Sequence, residues 1–259
     1  MKPPFPTFSR AIVRKPAFSA VNGLRAVDRG APDMARLAEE HMLYVEALER
    51  AGLQVQRLEA REAYPDAHFV EDPALVFPQG AILLCPGAPS REGEAAEIES
   101  VLRMRFPELL KLPRGYVDGG DCLYTPKGLF IGLSSRTDDT GAEALVHQLE
   151  QLGIEGRIVE TPNDVLHLKS DCSLLDETTI LATHRLANSD LFDSFDIIET
   201  AEGEEEAANA LRVNDRLLVG QAYVKTIEKL RDAGYEVTAL PVTETAKLDG
   251  GLSCLSLRW

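Results

Sequence analysis

Residues 121–159 read DCLYTPKGLFIGLSSRTDDTGAEALVHQLEQLGIEGRIV and contain one complete copy of the unit that decides the fold. Two β-rich runs separated by Pro126-Lys127-Gly128 predict a hairpin, because proline and glycine favour tight turns. Apolar residues at helical spacing follow, and Gly153 is typical of the residue that ends a helix. The predicted elements are strands Asp121–Tyr124 and Leu129–Leu133, helix Thr140–Leu152 and strand Gly156–Val159.

The same order of strand, turn, strand, helix and strand recurs along the chain. Repeats of this size either stack into a solenoid or close into a ring. No linker or low-complexity tract interrupts the pattern, so we expect a single domain over residues 1–259. The other predicted elements are helices Asp33–Ala51, Arg91–Phe106 and Ala222–Ala233, hairpin strands Phe69–Phe77, Ala81–Cys85, Leu166–Leu175 and Thr179–Thr183, and later strands Leu53–Val55 and Tyr235–Leu240.

Polar residues fall at or near the start of the first strand of each unit, at intervals of 46, 49, 47 and 40 residues. In a closed ring, equivalent positions of every unit converge on one axis. The repeat therefore predicts a central pocket to which each unit contributes one polar side chain. The five predicted residues are Asp72, Asp118, His167, Asn214 and Cys254.

The composition narrows the class of function. The 259 residues carry a formal net charge of −15, with 42 acidic and 27 basic side chains. Nucleic-acid and anionic-membrane surfaces need an excess of lysine and arginine, so we expect neither partner. An acidic protein suits a cationic small-molecule substrate.

The sequence also indicates where the protein works. Residues 1–6 carry no apolar signal region, and the longest apolar stretch, residues 74–85, is interrupted by Pro78-Gln79-Gly80. The cysteines are widely spread and show no spacing typical of a zinc site. We therefore expect a cytoplasmic protein with reduced thiols, no metal and no cofactor. The four cysteines are Cys85, Cys122, Cys172 and Cys254.

Cys254 follows the turn Gly250-Gly251 and precedes a short apolar run near the end of the chain. A cysteine in such a setting is typically a small buried hydrophobe. His167 lies in a similar setting far upstream, in Leu166-His167-Leu168. A cysteine with a sequence-distant histidine provides a thiolate nucleophile and a proton-transfer group, so the pair predicts an enzyme that forms a covalent intermediate.

Six motifs occur in a defined order, at residues 69–73, 86–91, 117–121, 132–137, 166–170 and 250–254. Together they resemble the dimethylarginine dimethylaminohydrolase family of the pentein superfamily. The resemblance runs from about Ala11 to the C-terminus. It implies an α/β fold, the five-bladed ββαβ propeller with pseudo-five-fold symmetry, and a central active site. It also implies hydrolysis of Nω,Nω-dimethyl-L-arginine and Nω-methyl-L-arginine to L-citrulline plus dimethylamine or methylamine.

The resemblance also implies roles for individual residues. Cys254 would be the nucleophile, His167 the general acid and base, and Asp118 the acid that orients His167 or the guanidinium. An acidic pair, with Asp72 foremost, would hold the guanidinium, because a carboxylate and a guanidinium form a charge-assisted pair of fixed direction. The implied substrate-binding residues are Glu71 and Asp72 for the guanidinium, Arg91 and Arg136 for the carboxylate, Asp66 for the α-ammonium, and the carbonyls of Leu24 and Leu248. Residues 19–32 would form a lid over the pocket.

Three alternatives remain open. Arginine deiminases use the same chemistry on unmethylated arginine, but they carry an inserted helical domain for which this repeat spacing has no room. Agmatine deiminases have no substrate carboxylate to bind, and Arg91 and Arg136 count against them. The fold also serves a non-enzymatic ribosome anti-association factor, which needs no Cys254–His167 pair. The sequence predicts a small-molecule substrate and leaves a homodimer open.

Overall fold

The computed structural model describes residues 7–162 and 165–259. The first six residues, on which the expectation of no signal peptide rests, lie outside these ranges. Within them the chain forms five three-stranded sheets arranged as blades of a propeller. None of the helices formed by the described residues is both long and apolar enough to cross a bilayer.

Every blade has the same topology. The inner strand pairs antiparallel with the middle strand, and the middle strand pairs parallel with the outer strand. Parallel neighbours need a crossover connection, and a helix provides it in each blade. This confirms the predicted five-bladed ββαβ propeller.

The bounds of the elements follow the blades in chain order. The first blade contains β1 (Arg10–Arg14), α1 (Met34–Arg50) and β2 (Gln54–Leu58). The next two are β3 (Ala74–Phe77), β4 (Gly80–Leu83), α2 (Glu94–Arg105) and β5 (Leu109–Lys111), then β6 (Cys122–Thr125), β7 (Gly128–Leu133), α3 (Asp139–Gln151) and β8 (Gly156–Glu160). The fourth is β9 (Cys172–Leu174), β10 (Thr179–Ala182), α4 (His184–Ala187) and β11 (Asp196–Glu199). The fifth is β12 (Leu211–Val213), β13 (Arg216–Gly220), α5 (Val224–Asp232) and β14 (Glu236–Leu240), followed by α6 (Thr243–Ala246) and β15 (Leu257–Arg258).

The C-terminal strand closes the ring. β15 pairs antiparallel with β1, so that Ala11 opposes Arg258 and Ile12 opposes Leu257. The last strand of the chain thereby becomes the inner strand of the first blade. This places Cys254, three residues before β15, beside residues from the beginning of the sequence.

The four main predicted helices are confirmed to within three residues at either end. Asp33 caps α1 by accepting hydrogen bonds from the amides of Ala35 and Arg36, which an N-terminal aspartate does well. The prediction that the helix of the second blade begins at Arg91 was wrong, because residues Pro89–Arg91 form a separate 3-10 turn before Gly93. The four-residue α4 was not predicted.

The predicted inner strands begin too early, because their N-terminal residues form turns instead of strand. Residues 69–73 form turns rather than strand, and Leu168–Ser170 is a 3-10 turn ahead of β9. Cys254 likewise lies in the 3-10 turn Ser253–Leu255 rather than opening a strand. The polar residues therefore sit on compact turns that precede the inner strands.

The prediction that Asn214 contributes a side chain to the central pocket was wrong. Asn214 lies in the turn between β12 and β13 with a φ of 55°, a conformation that asparagine tolerates. Its side chain accepts a hydrogen bond from the amide of Phe8 and donates one to the carbonyl of Ala51. The polar residue just before β12 is Asn209 instead.

Two buried histidines lie away from the ring axis. His68 is 1% exposed, and neither of its ring nitrogens has a hydrogen-bond partner among the described residues. Burial, with the charges of His41 and Arg91, lowers the pKa of His68 to about 3. Burial, with the charge of Arg57, lowers the pKa of His41 to about 4. Both rings are therefore neutral in the folded protein at neutral pH.

We expect this pair to make the fold sensitive to acid. Below the unfolded pKa of about 6.5, the unfolded chain binds protons that the folded chain does not, so stability falls by about 1.4 kcal/mol per pH unit for each histidine. The loss should continue until the folded pKa values are reached. His68→Phe should move the acid-unfolding midpoint, followed by circular dichroism, to lower pH. Replacement of the exposed His184 by Phe should leave it in place, and an equal shift in both variants would contradict the assignment.

Candidate active site

The turns before the inner strands meet at one end of the ring axis and enclose a cavity of about 40 Å³. Nine of the ten predicted site residues line it, and Glu71 is the exception. The structure adds four residues that sequence reasoning did not single out. The predicted lining residues are Leu24, Asp66, Asp72, Arg91, Asp118, Arg136, His167, Leu248 and Cys254, and the additional ones are Phe69, Leu166, Asp249 and Gly250.

Two glycines allow neighbouring turns to approach the axis. A Cβ atom on Gly119 would lie 2.0 Å from the carbonyl oxygen of Glu71, so the backbones of the second and third blades touch there. A Cβ atom on Gly120 would lie 2.8 Å from Cγ of His167 and 3.1 Å from Oδ1 of Asp72. Any larger residue would displace both polar side chains. The Gly119-Gly120 pair is therefore a packing requirement of the site.

His167 is held and charged by the carboxylates around it. Its Nε2 hydrogen-bonds Oδ2 of Asp118 at 3.0 Å, while the other oxygen of Asp118 accepts from the amide of Gly87 at 2.8 Å. Burial alone would lower the pKa of His167, but the Asp118 hydrogen bond and the charges of Asp121 and Asp72 outweigh it and raise the pKa to about 9. The ring is therefore an imidazolium at neutral pH and can donate a proton.

Asp121 supports this arrangement from below. Its Oδ1 accepts a hydrogen bond from the amide of Leu168, the residue after His167, and its Oδ2 accepts from the hydroxyls of Ser134 and Thr137. Asp121 is completely buried. Sequence reasoning treated it as part of a turn motif, but the structure shows that it fixes the backbone from which His167 projects.

Asp72 and Arg91 form a buried ion pair at the wall of the cavity. Oδ1 of Asp72 accepts from the amide of Gly120 at 3.0 Å, and Oδ2 pairs with Nη1 of Arg91. Arg91 also pairs with Glu94 at 2.7 Å and donates to the carbonyl of Phe69 at 3.0 Å. Its guanidinium is thus fully engaged by the protein, and a cation entering the cavity would share Asp72 with Arg91.

Arg136 differs from Arg91 in this respect. It is half-buried at the cavity, and within residues 7–162 and 165–259 its guanidinium forms no ion pair. Its backbone is fixed, because its amide donates to the Ser134 hydroxyl at 3.0 Å. An arginine with a free planar fork suits a carboxylate, which it can bind through two parallel hydrogen bonds.

Glu71 lies beside the Cys254 turn rather than at the cavity. Its Oε1 pairs with Nζ of Lys169 at 2.6 Å and with Nη2 of Arg258 at 3.3 Å, and its Oε2 accepts from the Ser253 hydroxyl at 3.0 Å. These residues also line a separate cavity of about 140 Å³ on the other side. Glu71 therefore lies in the wall that separates the two cavities. The sequence alone does not show which cavity a residue in such a wall faces.

Cys254 is half-buried beside His167 and Asp72 in the cavity lining. Burial, reinforced by the charges of Glu71 and Asp72, raises the pKa of Cys254 to about 12, against the opposing effects of the Gly251 hydrogen bond and Lys169. In the surroundings that the protein groups provide, the Cys254 thiol is therefore neutral at neutral pH. A cation in the cavity would favour the thiolate, because it opposes the two carboxylate charges.

Residues 24–29, called the covering segment below, belong to the predicted lid, and Leu24 among them lines the cavity. The amide of Leu24 donates to both oxygens of Asp66, at 3.0 and 3.3 Å, and the amide of Ala26 donates to Asp249. Arg29 pairs with Glu206 at 2.5 Å, and both residues line a neighbouring cavity of about 220 Å³. Asp66, predicted to bind an ammonium group, thus holds the covering segment in place through the Leu24 amide. Leu248 also lines the cavity and lies beside this segment, since a Cβ atom on Gly23 would be 3.2 Å from Cδ2 of Leu248.

Three side chains in this cavity could hold a divalent cation. The ligand atoms of Asp72, Asp118 and His167 lie within 4.8 Å of one another. All three are already used, since Asp72 pairs with Arg91 and His167 is bonded to Asp118. The donor set fits general acid–base chemistry at least as well as it fits a metal.

Comparison with known proteins shows which proteins this chain is similar to. The search against protein-family models found no match. The chain is 38% identical to the N(G),N(G)-dimethylarginine dimethylaminohydrolase of Pseudomonas aeruginosa over 255 residues, covering 97% of this chain and 100% of that protein. It is 33% identical to the protein of the same name from Streptomyces coelicolor, covering 96% of each chain.

The fold agrees with the sequence match. A solved structure of a variant of the Pseudomonas aeruginosa enzyme complexed with citrulline superposes with a TM-score of 0.95 at 36% identity, covering 98% of this chain and 100% of that one. Sequence and structure agree over nearly the full length of both proteins. The chain belongs to the dimethylarginine dimethylaminohydrolase family.

Proposed function

We propose that this protein hydrolyses Nω,Nω-dimethyl-L-arginine and Nω-methyl-L-arginine to L-citrulline plus dimethylamine or methylamine. The observation that carries the proposal is the grouping of Cys254, the charged His167–Asp118 pair and Asp72 around one cavity at the ring axis. A nucleophile, a proton donor and a carboxylate are the three groups that substitution at a guanidinium carbon requires. The relatives of the same family support this choice of substrate.

Substrate binding needs the covering segment to open. A cavity of about 40 Å³ is far below the roughly 300–1,000 Å³ of typical ligand pockets. Release of the Leu24 amide would free Asp66 for the α-ammonium group, and Arg136 would bind the α-carboxylate. Asp72 would bind the guanidinium and share its charge with Arg91.

The bound cation then activates the thiol. Its positive charge lowers the cost of forming a thiolate beside Glu71 and Asp72, and the thiol proton leaves to solvent. The sulfur attacks the guanidinium carbon and forms a C–S bond. His167 donates its proton to the dimethylamino nitrogen, the C–N bond breaks, and dimethylamine departs from a covalent thiouronium intermediate on Cys254.

His167 acts in the opposite direction in the second half of the reaction. Now neutral, it takes a proton from the incoming water, whose oxygen attacks the thiouronium carbon. The C–S bond breaks, the Cys254 sulfur takes the electron pair and the proton that remained on the attacking oxygen, and neutral citrulline is released, which restores the thiol and the His167 imidazolium. Closure of residues 24–29 during the first half would keep water away from the reacting carbon.

We also place the protein in the cytoplasm. Its cysteines are all free thiols, and Cys254 must stay reduced to act as a nucleophile. Burial raises the pKa values of Cys122 and Cys172, which protects them from oxidation.

A substrate panel assayed for citrulline tests the proposal. Nω,Nω-dimethyl-L-arginine and Nω-methyl-L-arginine should be converted with kcat/KM values well above that for L-arginine. Agmatine, which lacks the carboxylate, should be a poor substrate. Turnover of arginine at a rate equal to that of the methylated forms would replace the proposal by an arginine deiminase activity.

A further inference from the structure

The residue that the fifth blade contributes to the ring axis is Asn209, which lies two residues before β12 and is half-buried. Asp72, Asp118 and His167 stand in the corresponding turns of the other blades. Asn209 does not line the 40 Å³ cavity, but its side chain reaches the nucleophile from the other side. Any role of Asn209 in the reaction rests on the proposed function, in which Cys254 is the nucleophile.

Asn209 joins the two segments that carry the reacting side chains. Its Nδ2 donates to the carbonyl of Lys169, two residues after His167, at 2.9 Å. Its Oδ1 accepts from the amide of Ser253, the residue before Cys254, at 3.0 Å. One amide side chain therefore sets the separation between the His167 turn and the Cys254 turn.

The chain leaves little freedom for this contact to shift. A Cβ atom on Gly251 would lie 2.3 Å from Cγ of Asn209, so the amide packs directly against the turn that precedes the nucleophile. Gly251 in turn accepts a hydrogen bond from the amide of Cys254 through its carbonyl, at 3.3 Å. Asn209 thus buttresses the backbone on both sides of Ser253.

The same amide faces the sulfur. Nδ2 of Asn209 lies 4.0 Å from Sγ of Cys254, at the long end of an N–H to sulfur contact. An amide NH₂ has two hydrogens, and Lys169 uses only one of them. The hydroxyl of Ser253 lies 3.9 Å from the sulfur, but it donates to Glu71. Contacts of this kind shorten when the acceptor becomes charged.

We propose that Asn209 is a positioning residue that fixes Cys254 relative to His167 and donates an N–H to the sulfur when it becomes a thiolate. Its neutrality matters, because Glu71 and Asp72 already place two negative charges near the sulfur. A carboxylate at position 209 would add a third. The sequence signal for this role is the position two residues before β12, where Asn209 lies. The prediction instead chose Asn214, which lies in the turn after that strand.

Two substitutions separate the positioning role from a purely structural one. Asn209→Asp keeps the shape and the acceptor for the Ser253 amide, but it loses the donor and adds a charge. Asn209→Ala loses both functions. If the N–H matters, Asn209→Asp should lower kcat by about 10- to 100-fold, at least as much as Asn209→Ala, with KM changed less than threefold. Asn214→Asp adds the same charge outside the site and should retain wild-type kcat.

The second readout needs no substrate. Labelling of the full-length protein by iodoacetamide, quantified at Cys254 by mass spectrometry across pH, reports the ionisation of that thiol alone. The midpoint should move to higher pH in both Asn209 variants and stay unchanged in Asn214→Asp. Thermal melts establish that each variant is folded, and Asn209→Asp, which retains the Ser253 bond, remains informative if Asn209→Ala unfolds.

The inference is overturned if Asn209→Asp is more active than Asn209→Ala while the labelling midpoints of both match the wild type. In that case Asn209 serves only to hold the turn. If the wild-type protein makes no citrulline from any methylated arginine, the proposed function fails, yet shifted labelling midpoints would still support the contact between Asn209 and the thiolate. The two failures are therefore distinguishable.

Discussion

Replacing Cys254 by serine is expected to lower the rate of citrulline formation from Nω,Nω-dimethyl-L-arginine by about 10⁴-fold or more. Serine occupies nearly the same volume, so the cavity and the His167–Asp118 pair should be unchanged. A hydroxyl in this environment does not ionise, because the charges of Glu71 and Asp72 that raise the thiol pKa act on any group at this position. The variant should bind the substrate and leave it intact.

Cys85→Ser is the matched control. Cys85 is also a half-buried free thiol, and its pKa is also raised, by burial and then by Glu92 and Asp118. It forms a β-bridge with Val117 but does not line the cavity. Cys85→Ser should retain at least half of the wild-type rate. Equal losses in the two variants would indicate that serine disturbs the fold and would remove the support for Cys254 as nucleophile.

The repeat pattern predicted the architecture because each unit carries its own local signals. Pro126-Lys127-Gly128 and the residues beside it encode a hairpin that forms without reference to the rest of the chain, and Gly153 ends a helix in the same local way. The repeat alone left open whether the units stack or close into a ring; the family resemblance implied the ring, and the pairing of β15 with β1 closes it. What local signals did not fix was the end of each inner strand nearest the axis, where turns replaced predicted strand.

The site was predictable where a residue's role depends on its type and less so where it depends on its neighbours. Cys254, His167 and Asp118 meet as expected. Glu71 and Asp72 are adjacent in sequence, yet Glu71 pairs with Lys169 away from the cavity and Asp72 lines the cavity. Both residues lie in a turn. Helical and strand periodicity predict side-chain direction only within regular elements, so they could not show that the two side chains diverge.

Arg91 shows a second limit. The family resemblance implied that Arg91 binds a carboxylate of the substrate, but in the folded chain three protein groups already surround its guanidinium. Glu94, which provides one of them, comes from the first turn of α2 and belonged to no motif. Buried ion pairs of this kind depend on long-range packing, so they are visible only in three dimensions.

The second large effect is expected at His167. His167→Ala should lower steady-state citrulline formation by about 10³-fold, within the range of 10²–10⁴ that a positioned acid and base contributes. The alanine variant can neither protonate the departing amine nor deprotonate water. A substrate with a leaving group that needs no proton, such as S-methyl-L-thiocitrulline, bypasses the first of these steps. With it the variant should form the covalent adduct on Cys254 and fail to hydrolyse it.

Intact-protein mass spectrometry makes this distinction directly. The adduct should accumulate to near one equivalent in His167→Ala and remain undetected at steady state in the wild type. His184→Ala is the control, because His184 is an exposed histidine paired with Glu199 on the surface. Absence of any adduct in His167→Ala would move the role of His167 to activation of the thiol.

The pH dependence gives an independent test of the same assignment. In the wild type the rate of adduct formation from dimethylarginine needs the imidazolium, so it should fall as pH rises through about 9, the pKa to which Asp118, Asp121 and Asp72 raise His167 against burial. The charged ring also stabilises the fold, and because its folded pKa is raised, this contribution is complete below about pH 6.5 and lost as pH rises through about 9. His167→Ala should lose both alkaline transitions together. If the rate transition persisted in the variant, another group would have to supply the proton, and the arrangement of three carboxylates around His167 would then serve stability alone.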